Sequence, residues 1–239
     1  MSQQRQSRPS RRVQKQSELA KEWIELHWGG ELKTPHVVNR VKKIGQRITS
    51  AAGLSKRSLS YLLTTERFEW SHAWPPDTVI VTFGRYLACK TDDELAGVLA
   101  HEVSLLLAWR ENTSVYYPLL DGIQDKPAPR MGWGKGHLKL IHCVSDSNDD
   151  TDEAEKLRAS RQDEDEADRR AVRLLKDAGY DSTGLATYLW RDLSERCSMG
   201  MENLFSDEDS YYPSWTKRIT EISQAVQRVN SGRHHSGWL

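Results

Sequence analysis

The sequence predicts an α+β fold, mostly helical with a small β-sheet, and three observations carry that expectation. Apolar residues recur at helical spacing in several separate segments. Two short stretches, LSYLLTTE (59–66) and DTVIVTFG (77–84), read as strands. The run TDDELAGVLAHEVSLLLAW opens with a capping box and continues as a long apolar helix.

Taken in order, SELAKEWIELHWGG (17–30) reads as a short helix ended by Gly29 and Gly30. From Pro35 to about Ala52, the residues Val37, Val38, Val41, Ile44 and Ile48 keep one helical face apolar, and Gly53 closes the run. The two strands follow, separated by the aromatic and proline-rich RFEWSHAWPP. In the central helix, 91–109, Thr91 is placed to cap the first amides while Glu94 reaches back three residues. Residues 111–160 read as an irregular, loop-rich insertion holding Pro118, Pro127, Pro129, MGWGKG and the acidic run SDSNDDTDEAE (145–155). Three helices finish the chain. The first, about 161–177, stops at Gly179; the second, about 182–197, follows Asp181; the third, near 213–229, buries Ile219, Ile222, Val226 and Val229. The expected organisation is a basic disordered tail (1–17), a single domain (18–230) and a frayed C-terminal tail (231–239).

Composition narrows the classes of function. Lys+Arg and Asp+Glu both number 34 in 239 residues, so no global field favours nucleic acid, anionic membrane or acidic substrate. Cys89, Cys143 and Cys197 lie too far apart for a C-x-x-C metal site or a disulfide framework, which fits a reducing compartment. No run approaches the roughly 20 apolar residues that cross a bilayer. The first 17 residues carry five basic side chains and Val13 as their one core apolar residue, so a secretory signal is not expected there, and organelle import has little support. A soluble, intracellular, cytoplasmic protein is the expectation. There is no P-loop, G-x-G-x-x-G or G-x-S-x-G; the nine tryptophans are dispersed, as core anchors would be, and the basic tail gives only weak, salt-sensitive footing for nucleic acid.

The chemistry concentrates in two segments. Residues four apart on a helix share a face about 6 Å apart along the axis, which is why zinc peptidases hold their metal with H-E-x-x-H: two histidines ligate, and the intervening glutamate acts on the metal-bound water. Here ELAGVLAHEVSLLLAWR (94–110) supplies His101 and Glu102, but the second histidine position is Leu105. About 60 residues on, SRQDEDEADRRAVRLLKDAGYD (160–181) places Glu164 and Asp168 four apart on one helix face. Such a helix supplies the third ligand in glutamate-zinc peptidases, and a nearby aspartate can accept the ligand histidine's other N–H.

Together these segments resemble metallopeptidase family forty-eight, whose members include the CAAX prenyl protease type 1, HtpX-like heat-shock peptidases and a mitochondrial stress peptidase. TDDELAGVLAHE is similar to the family's E-D-E-L-A-A-V-L-A-H-E, the 160–181 segment to its S-R-x-x-E-x-x-A-D helix followed by A-G-Y-D-P, and YPSWTKRITEI to its terminal H-P-x-x-x-x-R-I element. The resemblance spans about residues 35–225. It implies a zincin-like (gluzincin) domain with His101 as first zinc ligand, Glu102 as general base, Glu164 as distal ligand and Asp168 as the partner that orients His101.

Three departures accompany it. Leu105 stands at the second ligand position, WSHAWPPD (70–77) stands where the family reads N-A-F-A-L-P-G-G, and Tyr212 occupies the histidine of the His-Pro element. Leucine has no lone pair, so His101 and Glu164 would hold zinc with two protein groups and water; Leu105 itself is expected to pack in the core. The reading is a degenerate metalloendopeptidase-like protein, a pseudopeptidase whose cleft still takes a polypeptide. The alternative is an active zinc metalloendopeptidase or other zinc hydrolase that recruits His72, His137, His142 or a cysteine. A third reading is a scaffold using the acidic insertion and basic tail.

Overall fold

The computed structural model describes residues 28–74, 77–111, 153–198 and 214–232. Most of the predicted helix at 17–30 (all but its last three residues), the basic tail, most of the 111–160 insertion, His137, His142, Cys143, Tyr212 and most of the C-terminal tail lie outside these residues. The described chain is mixed α+β, mostly helical, with one three-stranded sheet.

Helix α1 (Pro35–Ala51) starts with proline in its first turn, where the missing N–H costs nothing, and buries Val37, Val41, Ile44 and Ile48 along one stripe. Gly53 follows at φ +72°, the left-handed turn that lets the chain leave the helix. Strands β1 (Ser60–Thr64) and β3 (Thr78–Thr82) pair in parallel, and β2 (Ser71–Trp74) pairs antiparallel with β3, giving the order β1-β3-β2. The register sets Val79 between Tyr61 and Ala73, and Val81 between Leu63 and Ser71. Tyr61, Leu63, Ala73, Val79 and Val81 therefore share the face that joins the helical core.

Two features differ from the sequence expectation here. β2 forms inside the aromatic stretch read as a separator, because cross-strand pairing with β3 satisfies its backbone despite the flanking prolines. The second predicted strand also ends at Thr82, whose hydroxyl accepts from the Arg85 amide and caps a short helix, α2 (Phe83–Ala88).

Helix α3 (Asp92–Glu111) is the centre of the molecule. Leu95, Ala96, Val98, Leu99, Ala100, Val103, Leu105 and Leu106 are all buried, so apolar residues surround it, as a helix enclosed by other elements requires. Thr91 Oγ1 accepts from the Glu94 amide at 3.1 Å, as the capping box predicts. Glu94, however, reaches back four residues, accepting from the Lys90 amide at 2.6 Å, and takes a second bond from Arg191 at 2.5 Å.

Around α3 lie α1, α4 (Glu153–Asp177), α5 (Gly184–Ser198), β2 and β3, and α6 (Trp215–Asn230) closes against α4 and α5. Helix α4 begins eight residues before the predicted start. Its first turns, EAEKLRAS, are built from strong helix formers, and the acidic residues at 153 and 155 suit a helix N-terminus, so residues 153–160 belong to it and not to an irregular insertion. In α6, Ile222 and Val226 are buried while Ile219 and Val229 are partly buried against the core. One continuous apolar cluster draws on α1, the sheet, α3, α4, α5 and α6. No helix among the described residues is long and apolar enough to cross a membrane.

Candidate functional site

The structure brings His101, Glu102, Glu164 and Asp168 together. α3 presents the first two, α4 presents the second two from adjacent turns, and the extensive contact between these helices closes the distance that separates them in sequence. His101 Nδ1 and Asp168 Oδ1 are 2.8 Å apart, and His101 Nε2 and Glu164 Oε2 are 3.2 Å apart. The first contact is a hydrogen bond. In the second no hydrogen bond is directed at Glu164 Oε2, a buried atom, so the pair is an ionic approach without hydrogen-bond alignment.

Asp168 is itself fixed from the third helix. Arg218 on α6 donates to it from Nε and Nη2, each at 2.8 Å, and the same Nη2 stands 3.9 Å from Glu164 Oε2. At 1% exposure Asp168 would resist ionisation, yet the guanidinium and the imidazole outweigh that desolvation and hold its carboxyl well below the usual range. Burial alone would likewise lower the His101 value, but the charges of Glu164 and Asp168, with the hydrogen bond to Asp168, push it up to about 10. A metal ion bound at Nε2 would have to displace that proton.

Glu102 is buried beside His101, and the Ser71 hydroxyl on β2 donates to its Oε1 at 2.7 Å. Desolvation raises its carboxyl pKa against the opposing pull of His101 and Ser71, while the charge of Glu164 adds to the rise. Glu102 is therefore tied to the edge strand of the sheet.

Leu105 lies one turn beyond His101 at 7% exposure, within the same apolar cluster as Leu106, Ala171 and Val172. The donors for zinc can then be counted. Both Asp168 oxygens are taken by His101 and Arg218, one oxygen of Glu102 accepts from Ser71, and Leu105 offers no electrons; the side chains that face one another with a ligating atom are His101 through Nε2 and Glu164 through Oε2. A catalytic zinc centre takes three protein ligands and a water, so these residues do not fit a resident zinc ion. Among the described residues no group of three or more His, Cys, Asp or Glu side chains is arranged to hold a metal.

Of the substitute histidines, His72 is the one that lies among the described residues. It is partly buried on β2, its ring stacked on Trp70 at 5.2 Å and edge-on to Trp74 at 6.0 Å. Desolvation lowers its pKa to about 4 against the opposing charge of Glu164, so its ring is neutral at pH 7 and lies within electrostatic reach of that carboxylate. His137 and His142 lie outside the described residues. Cys89 is buried, its thiol pushed up to about 12 chiefly by desolvation, and Cys197 is exposed.

Two site residues were not singled out from sequence. Arg218 lies inside the YPSWTKRITEI element but reads, on an amphipathic helix, as one more solvated base. Ser71 sits in the stretch read as a separator, and the signal that finds it is the alternation of β2, which turns positions 71 and 73 to the helical face. No protein-family model matches the chain and no curated protein matches it, so the functional reading rests on the geometry of the site itself.

Proposed function

We propose that this chain is a degenerate relative of the family forty-eight zinc metallopeptidases, with a zincin-like (gluzincin) domain, that has lost ordinary proteolysis and keeps a cleft for an extended polypeptide. One observation carries the reading: His101, Glu102, Glu164 and Asp168 converge as a peptidase frame would require, while position 105 is a core leucine. The polypeptide would lie along β2. That strand pairs with β3 on one side, no described strand covers its other side, and Ser71 links it to Glu102 on the cleft floor. Main-chain pairing to such an edge binds a peptide without any chemistry at the metal position.

The test combines metal analysis of untagged protein with a cleavage assay on an unstructured polypeptide. The expected result is substoichiometric zinc and no cleavage. Stoichiometric zinc that disappears in Glu164→Ala, together with zinc-dependent cleavage lost in Glu102→Gln, would overturn the reading.

That outcome would favour the second reading, an active zinc hydrolase with a substitute ligand, and the proximity of His72 to Glu164 is the observation on its side. His72→Ala would then abolish both zinc and cleavage. In a pseudopeptidase it changes neither.

A further inference from the structure

Residues 32–65 hold seven Lys or Arg and no Asp or Glu, although over the whole chain the two kinds of charge balance at 34 each. Folding turns this separation into a surface. Helix α1 commits its apolar side to the core, where Val37, Val41, Ile44 and Ile48 are at most 6% exposed. At 3.6 residues per turn, its opposite side carries Asn39 and Gln46 in one line with Lys42 and Lys43 on either side of it, and all four are exposed. Lys33 before the helix and Lys56 and Arg57 after it are exposed too. The remaining bases of α1 serve the fold: Arg40 donates to Asp92 at 2.7 Å, and Arg47 donates to the Ala178 carbonyl at 2.6 Å while lying 4.2 Å over the Tyr180 ring. Lys33, Lys42, Lys43, Lys56 and Arg57 form no ion pair among the described residues.

We propose that this face binds the phosphodiester backbone of a duplex nucleic acid. Phosphate oxygens accept from amide side chains as well as from cations, which gives Asn39 and Gln46 a use between the two lysines. A membrane-surface helix sinks its apolar side among the lipids, but that side of α1 is already buried, and the exposed Phe68, Leu87 and Trp190 lie on other elements. A single strand needs rings on which its bases stack, and α1 has no Phe, Tyr or Trp. Along the roughly 25 Å of α1 a duplex presents about 15 phosphates, one per about 1.7 Å. An extended acidic polypeptide offers at most one charge per about 3.3 Å. Because α3, α4 and β1 pack behind α1, the helix meets the backbone and does not enter a groove, so binding is indifferent to sequence. β1 is the sheet edge opposite β2, which separates this face from the proposed peptide cleft, and the inference does not rest on that cleft.

The experiment measures anisotropy of fluorescent DNA and RNA duplexes of about 24 base pairs with the full untagged chain, in about 50 to 200 mM salt. With about four phosphate contacts, affinity should fall about 100-fold across that range, a log–log slope of about −3.6, equally for unrelated sequences. The pair Lys42→Gln and Lys43→Gln should weaken binding about tenfold or more and make the slope shallower by about 2. Lys56→Gln with Arg57→Gln, on the turn beyond the helix, should act in the same direction, and all four positions are exposed, so circular dichroism should be unchanged.

Failure of either duplex to bind in about 50 mM salt would overturn the inference. So would wild-type affinity and slope in both double variants, since any binding would then lie elsewhere. Loss of all binding when the five bases of residues 1–17 are changed to glutamine would assign it to the tail instead. Tighter binding to phosphatidylserine vesicles than to the duplexes would replace nucleic acid with an anionic membrane. Displacement of the duplex by polyglutamate as effectively as by unlabelled duplex, at equal charge, would show that the face reads charge alone and would also overturn the assignment.

Discussion

Arg218 and Asp168 form a two-point clamp: Nε and Nη2 of the guanidinium each meet one oxygen of the carboxylate at 2.8 Å, although the residues lie 50 positions apart on different helices. Parallel bonds of this kind add geometric restraint to charge attraction. Asp168 passes the restraint to His101 on a third helix, so α6, α4 and α3 meet through one arginine, one aspartate and one histidine. The cluster holds these positions by direct contacts among its own side chains.

Removing the clamp leaves an ionised carboxylate buried without its strongest partner. Arg218→Met is expected to destabilise the fold by about 3–5 kcal/mol, the usual cost of breaking a buried pair from one side. Arg218→Lys should recover part of this, since an ammonium restores the charge but not the two-point geometry. Urea unfolding monitored by circular dichroism measures both, and a full recovery in Arg218→Lys would show that the two-point geometry is irrelevant, whereas equal losses for the two variants would show that charge without that geometry contributes nothing.

Leu105 is expected to behave as a core residue. Leu105→Ala should cost about 2–5 kcal/mol, the range for large-to-small changes at a buried leucine. A loss under 1 kcal/mol in denaturant titration would mean that the position tolerates a cavity and contributes little to the packing of α3.

Ser71 is expected to matter through Glu102. Ser71→Ala removes the hydroxyl that donates to this buried carboxylate and should cost about 1–3 kcal/mol. In Glu102→Leu the hydroxyl no longer serves a carboxylate, so adding Ser71→Ala to that variant should cost much less; a double-mutant cycle measures the difference.

The packing of α3 against α5 depends on an approach that only glycine allows. A Cβ at Gly97 would lie 2.5 Å from the Leu185 backbone nitrogen, so Gly97→Ala must push α5 away. A loss of about 1–3 kcal/mol is expected, larger than the small gain alanine normally brings to a helix interior. Thermal unfolding tests this directly.

Stability should depend on pH in a window set by the cluster. Asp168 has a depressed folded pKa, so its contribution is complete above its unfolded value near 3.9 and is lost as pH falls below it. His101 has a raised folded pKa, so its contribution is complete below its unfolded value near 6.5 and is lost as pH rises to about 10. His72 opposes this on the acid side, because its folded value of about 4 makes the unfolded chain the better proton acceptor as pH falls from 6.5 to 4. The stability advantage of the wild-type chain over His101→Asn should therefore shrink between pH 6.5 and 10. A constant difference across that range would show that His101 is not held as an imidazolium.

The sequence by itself determined the elements whose physics is local. The apolar stripe of α1, the Thr91 cap and the apolar run of α3, and the carboxylates at 164 and 168 all follow from residues a few positions apart. It also determined the chemical fact at position 105, since leucine carries no donor in any fold. Its limits were local too: β2 is a short aromatic strand made by its partner β3, and the start of α4 lies within an acidic run whose charge pattern is equally that of a loop. Tertiary structure alone decided which oxygen meets which nitrogen. Arg218 became the clamp because α6 crosses α4 beside Asp168, Ser71 met Glu102 because the β2–β3 register turns it towards α3, and Leu105 was enclosed because helices and sheet surround α3. Those outcomes depend on contacts between residues tens of positions apart, which a spacing pattern does not encode and which only the packing of whole elements selects.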